Sequence, residues 1–141
     1  MRTMTSDEVQ AFLVAGTRTG KLASVRADGR PHVVPVWYVL DGEDIICTTW
    51  HDTVKATNIR HDNRVALTVD EERFPYAYVL IEGTATLSND RAELRHWAHG
   101  IAARYVPADQ VTVYGERNSV RGELVLRITP TRIIAQADIA G

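Results

Sequence analysis

The sequence contains few of the residues that would indicate a disulfide framework, a membrane anchor or a secreted protein. One cysteine, Cys47, occurs in 141 residues, which excludes an intramolecular disulfide and a zinc site built from cysteines. Cys47 lies in an apolar strand pattern, and we expect it to be a small buried residue. No apolar run approaches the roughly 20 residues that span a bilayer. Because residues 1–8 are polar and lack the apolar core of a signal peptide, we expect a cytoplasmic protein.

The chain also lacks an excess of charge of either sign. Its formal net charge is −2 and its pI is about 6.2, which argues against nucleic acid as the main partner. Hydrophobic content of 45% and charged content of 24% are ordinary for a globular protein, and we expect one domain over residues 1–141. Lysine is scarce, since only Lys21 and Lys55 occur among 16 basic residues. This arginine bias is typical of a GC-rich genome. In such a background a lysine is more often present for its compact ammonium group, so both lysines are candidate functional residues.

Residue periodicity predicts a mainly β domain with a few short helices. Helices are predicted from the capping sequence at Thr5, over residues 53–61 and from Asp90, whereas residues 106–121 are expected to form a loop or a short helix. Apolar and β-branched runs predict strands over residues 21–26, 31–40, 44–49, 64–69, 76–87, 123–129 and 131–137. Because most of these strands are linked as hairpins, we expect a closed antiparallel barrel rather than a parallel sheet.

One strand-to-helix junction has the chemistry of a phosphate-binding site. The strand over residues 44–49 leads through Thr48, Thr49 and Thr53 into a helix whose first turn carries Lys55. Free backbone N–H groups and the positive end of the helix dipole favour an anion there, and the hydroxyls and ammonium add donors. The alternative interpretation is a capped surface helix with a solvated lysine, and the local sequence does not distinguish the two.

Other candidate residues are interpreted more simply. His96 and His99 lie three residues apart on one helical face, but no further ligand is evident, so no metal site is predicted. His51 can act in acid–base chemistry or be merely polar. Trp37 and Trp50 can stack on a ligand, although strand aromatics more often belong to a core or an interface. The sequence contains no Gly-rich dinucleotide fingerprint and no nucleophile elbow.

Four segments in order resemble one known family. They are residues 20–25 (GKLASV), 28–38 (DGRPHVVPVWY), 55–65 (KATNIRHDNRV) and 81–85 (IEGTA). In these segments the chain resembles the flavin/deazaflavin-dependent oxidoreductases of the pyridoxamine 5′-phosphate oxidase-like superfamily, over residues 5–137. The resemblance implies a split β-barrel with a few short helices, and a homodimer with the cofactor across its interface.

The resemblance also implies which residues contact the cofactor. By position, Lys55 and Asn58 correspond to phosphate-side contacts, with Thr48 and Thr49 at the preceding strand end. The other implied contacts surround the cofactor ring: Pro35, Val36 and Trp37 on the strand whose backbone meets the ring, and Tyr76 and Tyr78 contributed by the partner subunit. Apolar faces and a few fixed donors are what a flat ring with a polar edge requires.

Differences from the typical superfamily member limit which activity and which cofactor the resemblance implies. The C-terminal segment 131–141 carries a single arginine and no basic substrate-binding motif, which argues against pyridoxamine phosphate oxidase activity. The short form with Lys55-Ala56-Thr57-Asn58 is more similar to the branch that uses coenzyme F420, a deazaflavin common in GC-rich actinobacteria. Thr57 stands where relatives often carry arginine. Arg60 and Lys21 are candidates to meet the anionic glutamate tail that F420 has and FMN lacks.

The resemblance therefore implies an F420H2-dependent reductase. Such an enzyme transfers a hydride from reduced deazaflavin to a small electrophilic acceptor such as an enone, a quinone or a tetrapyrrole. Two alternatives remain open: an oxidoreductase that binds FMN, and a protein that carries the cofactor or another planar ligand without turnover. The sequence shows no obligatory proton donor that would separate enzyme from carrier, so no catalytic residue is assigned.

Overall fold

Alternation of buried and exposed residues defines the strands, and the computed structural model describes them across residues 1–141. The eight strands are β1 (Arg2–Thr3), β2 (Gly20–Val25), β3 (Pro31–Val36), β4 (Val39–Asp41), β5 (Asp44–Trp50), β6 (Arg64–Glu71), β7 (Ala77–Ser88) and β8 (Glu123–Ala137). The helices are α1 (Ser6–Val14), α2 (Val54–His61), α3 (Arg91–Tyr105) and α4 (Val111–Arg117), with a 3₁₀ turn at Ala108–Gln110.

All eight strands join one antiparallel sheet. The order along it is β3-β2-β6-β7-β8-β5-β4, and β1 pairs with β8. One face of the sheet surrounds a core in which Leu22, Leu67 and Ile81 lie side by side and are fully buried. Burial of a side chain of this size stabilises the fold by roughly 1.5–3 kcal/mol. The predicted mainly β split barrel is confirmed.

The predicted strand over residues 31–40 is wrong as a single element. β3 ends at Val36 and β4 begins at Val39, so the chain leaves its ladder with β2 and continues beside β5. Between them, the Tyr38 hydroxyl donates a hydrogen bond of 2.6 Å to the Leu13 carbonyl oxygen. The Tyr38 carbonyl oxygen accepts one of 2.8 Å from Arg104. The bond from Arg104 satisfies a backbone oxygen of Tyr38 that has no ladder partner, and the two contacts hold this segment against α1 and α3.

The first two helices begin as their capping sequences predict. Thr5 and Glu8 form the reciprocal capping box of α1, and the Thr53 hydroxyl caps α2 by accepting from the Ala56 N–H. Val54, the first residue of α2, is 46% exposed. Ile59 does face the core. None of the helices has both the length and the apolar character needed to cross a lipid bilayer.

Residues 106–121 contain more helix than their polar sequence suggests. The 3₁₀ turn and α4 fill most of the segment, and α4 packs against α3. Gly115 lies in the middle of α4 directly against the ring of His99, where a Cβ atom would overlap that ring. A glycine that weakens the helical pattern locally is therefore required by packing between the two helices.

The last strand is also more continuous than its proline suggests. β8 runs through Pro130 as one strand, but its register with β7 shifts there: Glu82 pairs with Arg132 and Gly83 with Pro130, so Thr131 of β8 is an extra, unpaired residue. Gly83 faces Pro130 across the ladder, and a Cβ atom at position 83 would overlap the carbonyl oxygen of Thr129. The chain therefore accommodates the proline with a bulge in β8 at Thr131.

Candidate functional site

The strand-to-helix junction lies between Trp50, which ends β5, and Val54, which begins α2. Two of its three threonine hydroxyls are engaged within the protein. The Thr53 hydroxyl caps α2, and the Thr49 hydroxyl lies 2.8 Å from that of Thr53 in a residue that is only 3% exposed. The third threonine, Thr48, is half-buried, and its hydroxyl has no partner in the protein. Thr48 is therefore the hydroxyl that remains available to a ligand.

The ammonium group of Lys55 also has no partner. Its side chain is half-buried and makes neither a hydrogen bond nor an ion pair. Burial lowers the pKa of Lys55 below its ordinary value, and the nearby Cys47 and Glu123 oppose the shift only in part. A partly desolvated ammonium without a counter-ion is a good anion-binding group, because an arriving anion recovers the electrostatic interaction that burial removed.

Lys55 and Thr48 line one pocket with a volume of about 330 Å³. The whole lining consists of Pro35, Val36, Trp37, Thr48, Thr49, Trp50, Lys55, Ile101, Asn118 and Glu123. The pocket thus brings together six of the ten residues predicted for the cofactor site, from the end of β3, the end of β5 and the start of α2. Its volume is at the lower end of the range for ligand pockets, about 300–1,000 Å³.

The pocket has aromatic walls. Trp37 stacks on Tyr105 of α3 with ring centroids 5.2 Å apart and ring planes 3° from parallel. Trp50, which also lines the pocket, lies so close to Gly122 that a Cβ atom at position 122 would overlap its ring. Both tryptophans stay more than one-third exposed, so each presents surface that a flat ring can cover.

Three lining residues were absent from the sequence prediction. Ile101 comes from the second half of α3, Asn118 follows α4, and Glu123 is the first residue of β8. Glu123 reaches the pocket because it pairs with Trp50 across the β5–β8 ladder. Burial raises the pKa of Glu123, while the positive charges of Lys55 and Arg117 oppose the rise. These contributions depend on the pairing of β5 with β8 and on the packing of α3 and α4, and no local motif contains them.

The remaining predicted residues lie outside this pocket. Asn58 is 5% exposed, and its side-chain nitrogen donates a hydrogen bond of 3.0 Å to the Ser24 hydroxyl. The Arg60 guanidinium donates one of 2.7 Å to the carbonyl oxygen of His51. Lys21 is paired with Asp70 at 3.0 Å. Asn58 therefore has a structural partner already, and its predicted contact with phosphate stays a prediction.

The two tyrosines predicted to come from a partner subunit lie far along the sheet. Tyr76 is 44% exposed, just before β7, beside the still more exposed Phe74. Tyr78 lies on β7, where it pairs with Asp70 and Gln136. Within one chain neither tyrosine lines the pocket around Lys55. This placement agrees with a role that requires a second copy of the chain.

A larger depression of about 490 Å³ lies between α1 and β8, away from Lys55. It is lined by Thr3, Met4, Ser6, Asp7, Val9, Gln10, Gly42, Glu43, Ile133 and Ala135. The lining has two carboxylates and no basic residue, so it is unsuited to a phosphate group. The pocket around Lys55 is smaller, but its lining includes a basic group, the unpaired ammonium of Lys55.

Known structures share this fold over nearly the whole chain. A conserved hypothetical protein from Mycobacterium tuberculosis, Rv2991, superposes with a TM-score of 0.83 and 23% identity, covering 96% of this chain and 86% of that one. The heme storage protein HutZ from Vibrio cholerae gives a TM-score of 0.74 at 16% identity, with 96% and 98% covered. At these identities the likeness establishes the fold alone.

Two further comparisons bear on the family. A structure described as an F420 reductase has a TM-score of 0.66 and 25% identity, covering 86% of this chain and 92% of that chain. The family model described as pyridoxamine 5′-phosphate oxidase matches residues 5–137. The fold is one that binds flavin-type cofactors. With a match over almost its full length, the chain belongs to the pyridoxamine 5′-phosphate oxidase family.

Proposed function

We propose that the protein is an F420H2-dependent reductase. Its substrate would be a small electrophilic acceptor of the enone, quinone or tetrapyrrole class. The observation that carries the proposal is the unpartnered ammonium of Lys55 in a pocket walled by Trp37 and Trp50. One cation beside two aromatic surfaces suits a ligand that joins a phosphate group to a flat ring.

The residues present fit a phosphorylated flavin-type cofactor. Lys55 and Thr48 would hold the phosphate, because both have free donors at the junction of β5 and α2. Pro35 and Val36 would offer backbone groups to the ring, since β3 is the end strand of the sheet and leaves its ladder there. When bound, reduced F420 supplies the hydride, and the protein orients the acceptor and excludes water.

The deazaflavin is preferred to FMN for reasons of charge and sequence. Both cofactors carry a phosphate for Lys55, whereas only F420 adds an anionic glutamate tail. Arg60 is exposed close to the junction and keeps donors beyond its bond to His51. Lys21 is 41% exposed in its side chain and can exchange Asp70 for a tail carboxylate. The resemblance of Lys55-Ala56-Thr57-Asn58 to the F420 branch supports the same preference.

A homodimer completes the proposed site. The outer face of the sheet carries a row formed by Pro35, Lys21, Thr68, Leu80 and Ile134, which are joined strand by strand across β3, β2, β6, β7 and β8. Val33 on the same face is 65% exposed. A second copy that covers this face would bring its own Tyr76 and Tyr78 towards the open side of the pocket.

Titration of both cofactors tests the proposed preference. The purified protein should bind F420 more tightly than FMN by fluorescence, and the difference should shrink at higher salt because exposed charges recognise the tail. Turnover of a menadione-like quinone with F420H2 separates an enzyme from a carrier. Tighter binding of FMN, or an F420 affinity unchanged by removal of the tail, would contradict the preference and favour a flavin protein.

A further inference from the structure

The pocket around Lys55 contains a second unpartnered charged group. The Glu123 carboxyl lines the same pocket and, like Lys55, makes no hydrogen bond or ion pair through its side chain. The two groups are close enough for each to influence the other's titration, yet they form no ion pair. An acid in a site built for an anion is costly when ionised, because it repels the ligand that the lysine attracts.

Few charged groups surround Glu123. Lys55 comes from α2 and Arg117 from the end of α4, and both influence its titration. The adjacent strand β5 presents Thr49 and Trp50, and α3 presents Ile101. His51 follows β5, and Arg121 lies two residues before Glu123; both are exposed. None of these groups forms an ion pair with the carboxyl. The protein therefore leaves Glu123 free to respond to a ligand.

We propose that Glu123 contacts the bound cofactor and takes up a proton when an anionic group binds to Lys55. The neutral carboxylic acid donates a hydrogen bond to the anion, whereas the carboxylate repels it. Binding therefore couples to proton uptake from solvent, and Glu123 makes the affinity of the site depend on pH. This inference rests on the proposed function, because it takes the phosphate group to lie at Lys55.

The electrostatics of the empty pocket support this coupling. Burial raises the pKa of Glu123, so protonating it costs less than protonating an ordinary exposed glutamate. A bound anion adds a second negative charge next to the carboxyl and raises that pKa further. Between the pKa of Glu123 in the free protein and its higher pKa in the complex, the free protein loses the proton while the complex keeps it. Across this pH interval the affinity for the anion falls, in total by about 10-fold for each unit by which binding raises the pKa.

The test is a calorimetric titration of F420 into the purified full-length protein. F420 is the probe because its phosphodiester keeps one charge throughout the neutral range. Titrations in two buffers with different ionisation enthalpies give the number of protons taken up on binding. The variants are Glu123→Gln and the matched control Glu72→Gln, which removes an exposed carboxylate that has no partner.

On binding F420, the wild type and Glu72→Gln should each take up between zero and one proton more than Glu123→Gln does. Glu123→Gln should also bind F420 about 10-fold more tightly than the wild type at the alkaline end of the profile and equally at the acid end. Equal proton uptake in all three proteins, or weaker binding by Glu123→Gln at alkaline pH, would overturn the role of Glu123. Absence of F420 binding to the wild type would contradict the proposed function as well.

Discussion

The side-chain nitrogen of Asn58 lies 3.0 Å from the hydroxyl of Ser24, and both residues are almost fully buried. This bond connects β2 to α2, the helix that carries Lys55. Asn58→Ala should therefore destabilise the protein by roughly 1–3 kcal/mol, because the Ser24 hydroxyl loses its partner in the core. Chemical denaturation measures the change. The double variant with Ser24→Ala should lose less than the sum of the two single changes, and strict additivity would contradict the pairing.

A second prediction about stability concerns the substitution of Gly83. A Cβ atom at this position would overlap the backbone oxygen of Thr129, so Gly83→Ala should destabilise the fold by roughly 1–3 kcal/mol. Gly100 is the matched control, since it lies within α3 with open space around it. Gly100→Ala should stabilise by roughly 0.5–1 kcal/mol, which is the helix propensity difference. Thermal melting of both variants checks the pair, and a shift of the same sign in both would contradict the bulge geometry.

Glu71 should make the stability of the protein sensitive to acid. Its carboxylate accepts hydrogen bonds from Arg73 and Arg18, which lower its pKa to about 2 from the usual 4.5. A carboxylate whose pKa is lower in the folded than in the unfolded protein stabilises the folded state at any pH above the unfolded-state pKa. This contribution is lost as pH falls from about 4.5 towards 2. The difference in Tm between the wild type and Glu71→Gln should thus be largest at neutral pH and vanish near pH 2. A difference that stays constant over this interval would contradict the assignment.

The oligomeric state tests the outer face of the sheet. We expect a homodimer by light scattering at micromolar concentration, because Val33 and the row that includes Leu80 and Ile134 leave apolar surface uncovered on one chain. Leu80→Lys should weaken the dimer without disturbing the opposite, core-facing side of the sheet. Thr86→Lys is the control, since this exposed residue lies further along the same strand. A monomer mass for the wild type would contradict the proposed completion of the site by a partner.

Local sequence predicted the parts of the site that local chemistry creates. The junction at Thr53 and Lys55 has its own capping residue, its own hydroxyls and its own charge, so a short segment identifies it. The fold was predictable for the same reason, since alternation such as Gly20–Val25 specifies a strand and the side that it buries. The lysine proved to be free in the pocket, although the sequence equally allowed a solvated side chain.

The missed features depend on contacts between distant segments. Glu123 reaches Lys55 only through the pairing of β5 with β8, and Asn118 only through the packing of α4 on α3. The break after Val36 arises from Arg104 and Tyr105, more than sixty residues later, which bond to the backbone of Tyr38. No periodicity within one segment contains this information.

Titration of F420 and FMN into the wild type, Lys55→Ala and Lys21→Ala tests the phosphate-binding role of Lys55 most directly. Both cofactors carry the phosphate, so Lys55→Ala should weaken each by roughly 1–3 kcal/mol, the scale of a charge-assisted hydrogen bond, without unfolding the protein. Lys21→Ala should leave FMN binding unchanged, because Lys21 is paired with Asp70 outside the pocket and FMN has no tail. Equal losses of FMN affinity in the two variants, or no loss in Lys55→Ala, would contradict the account.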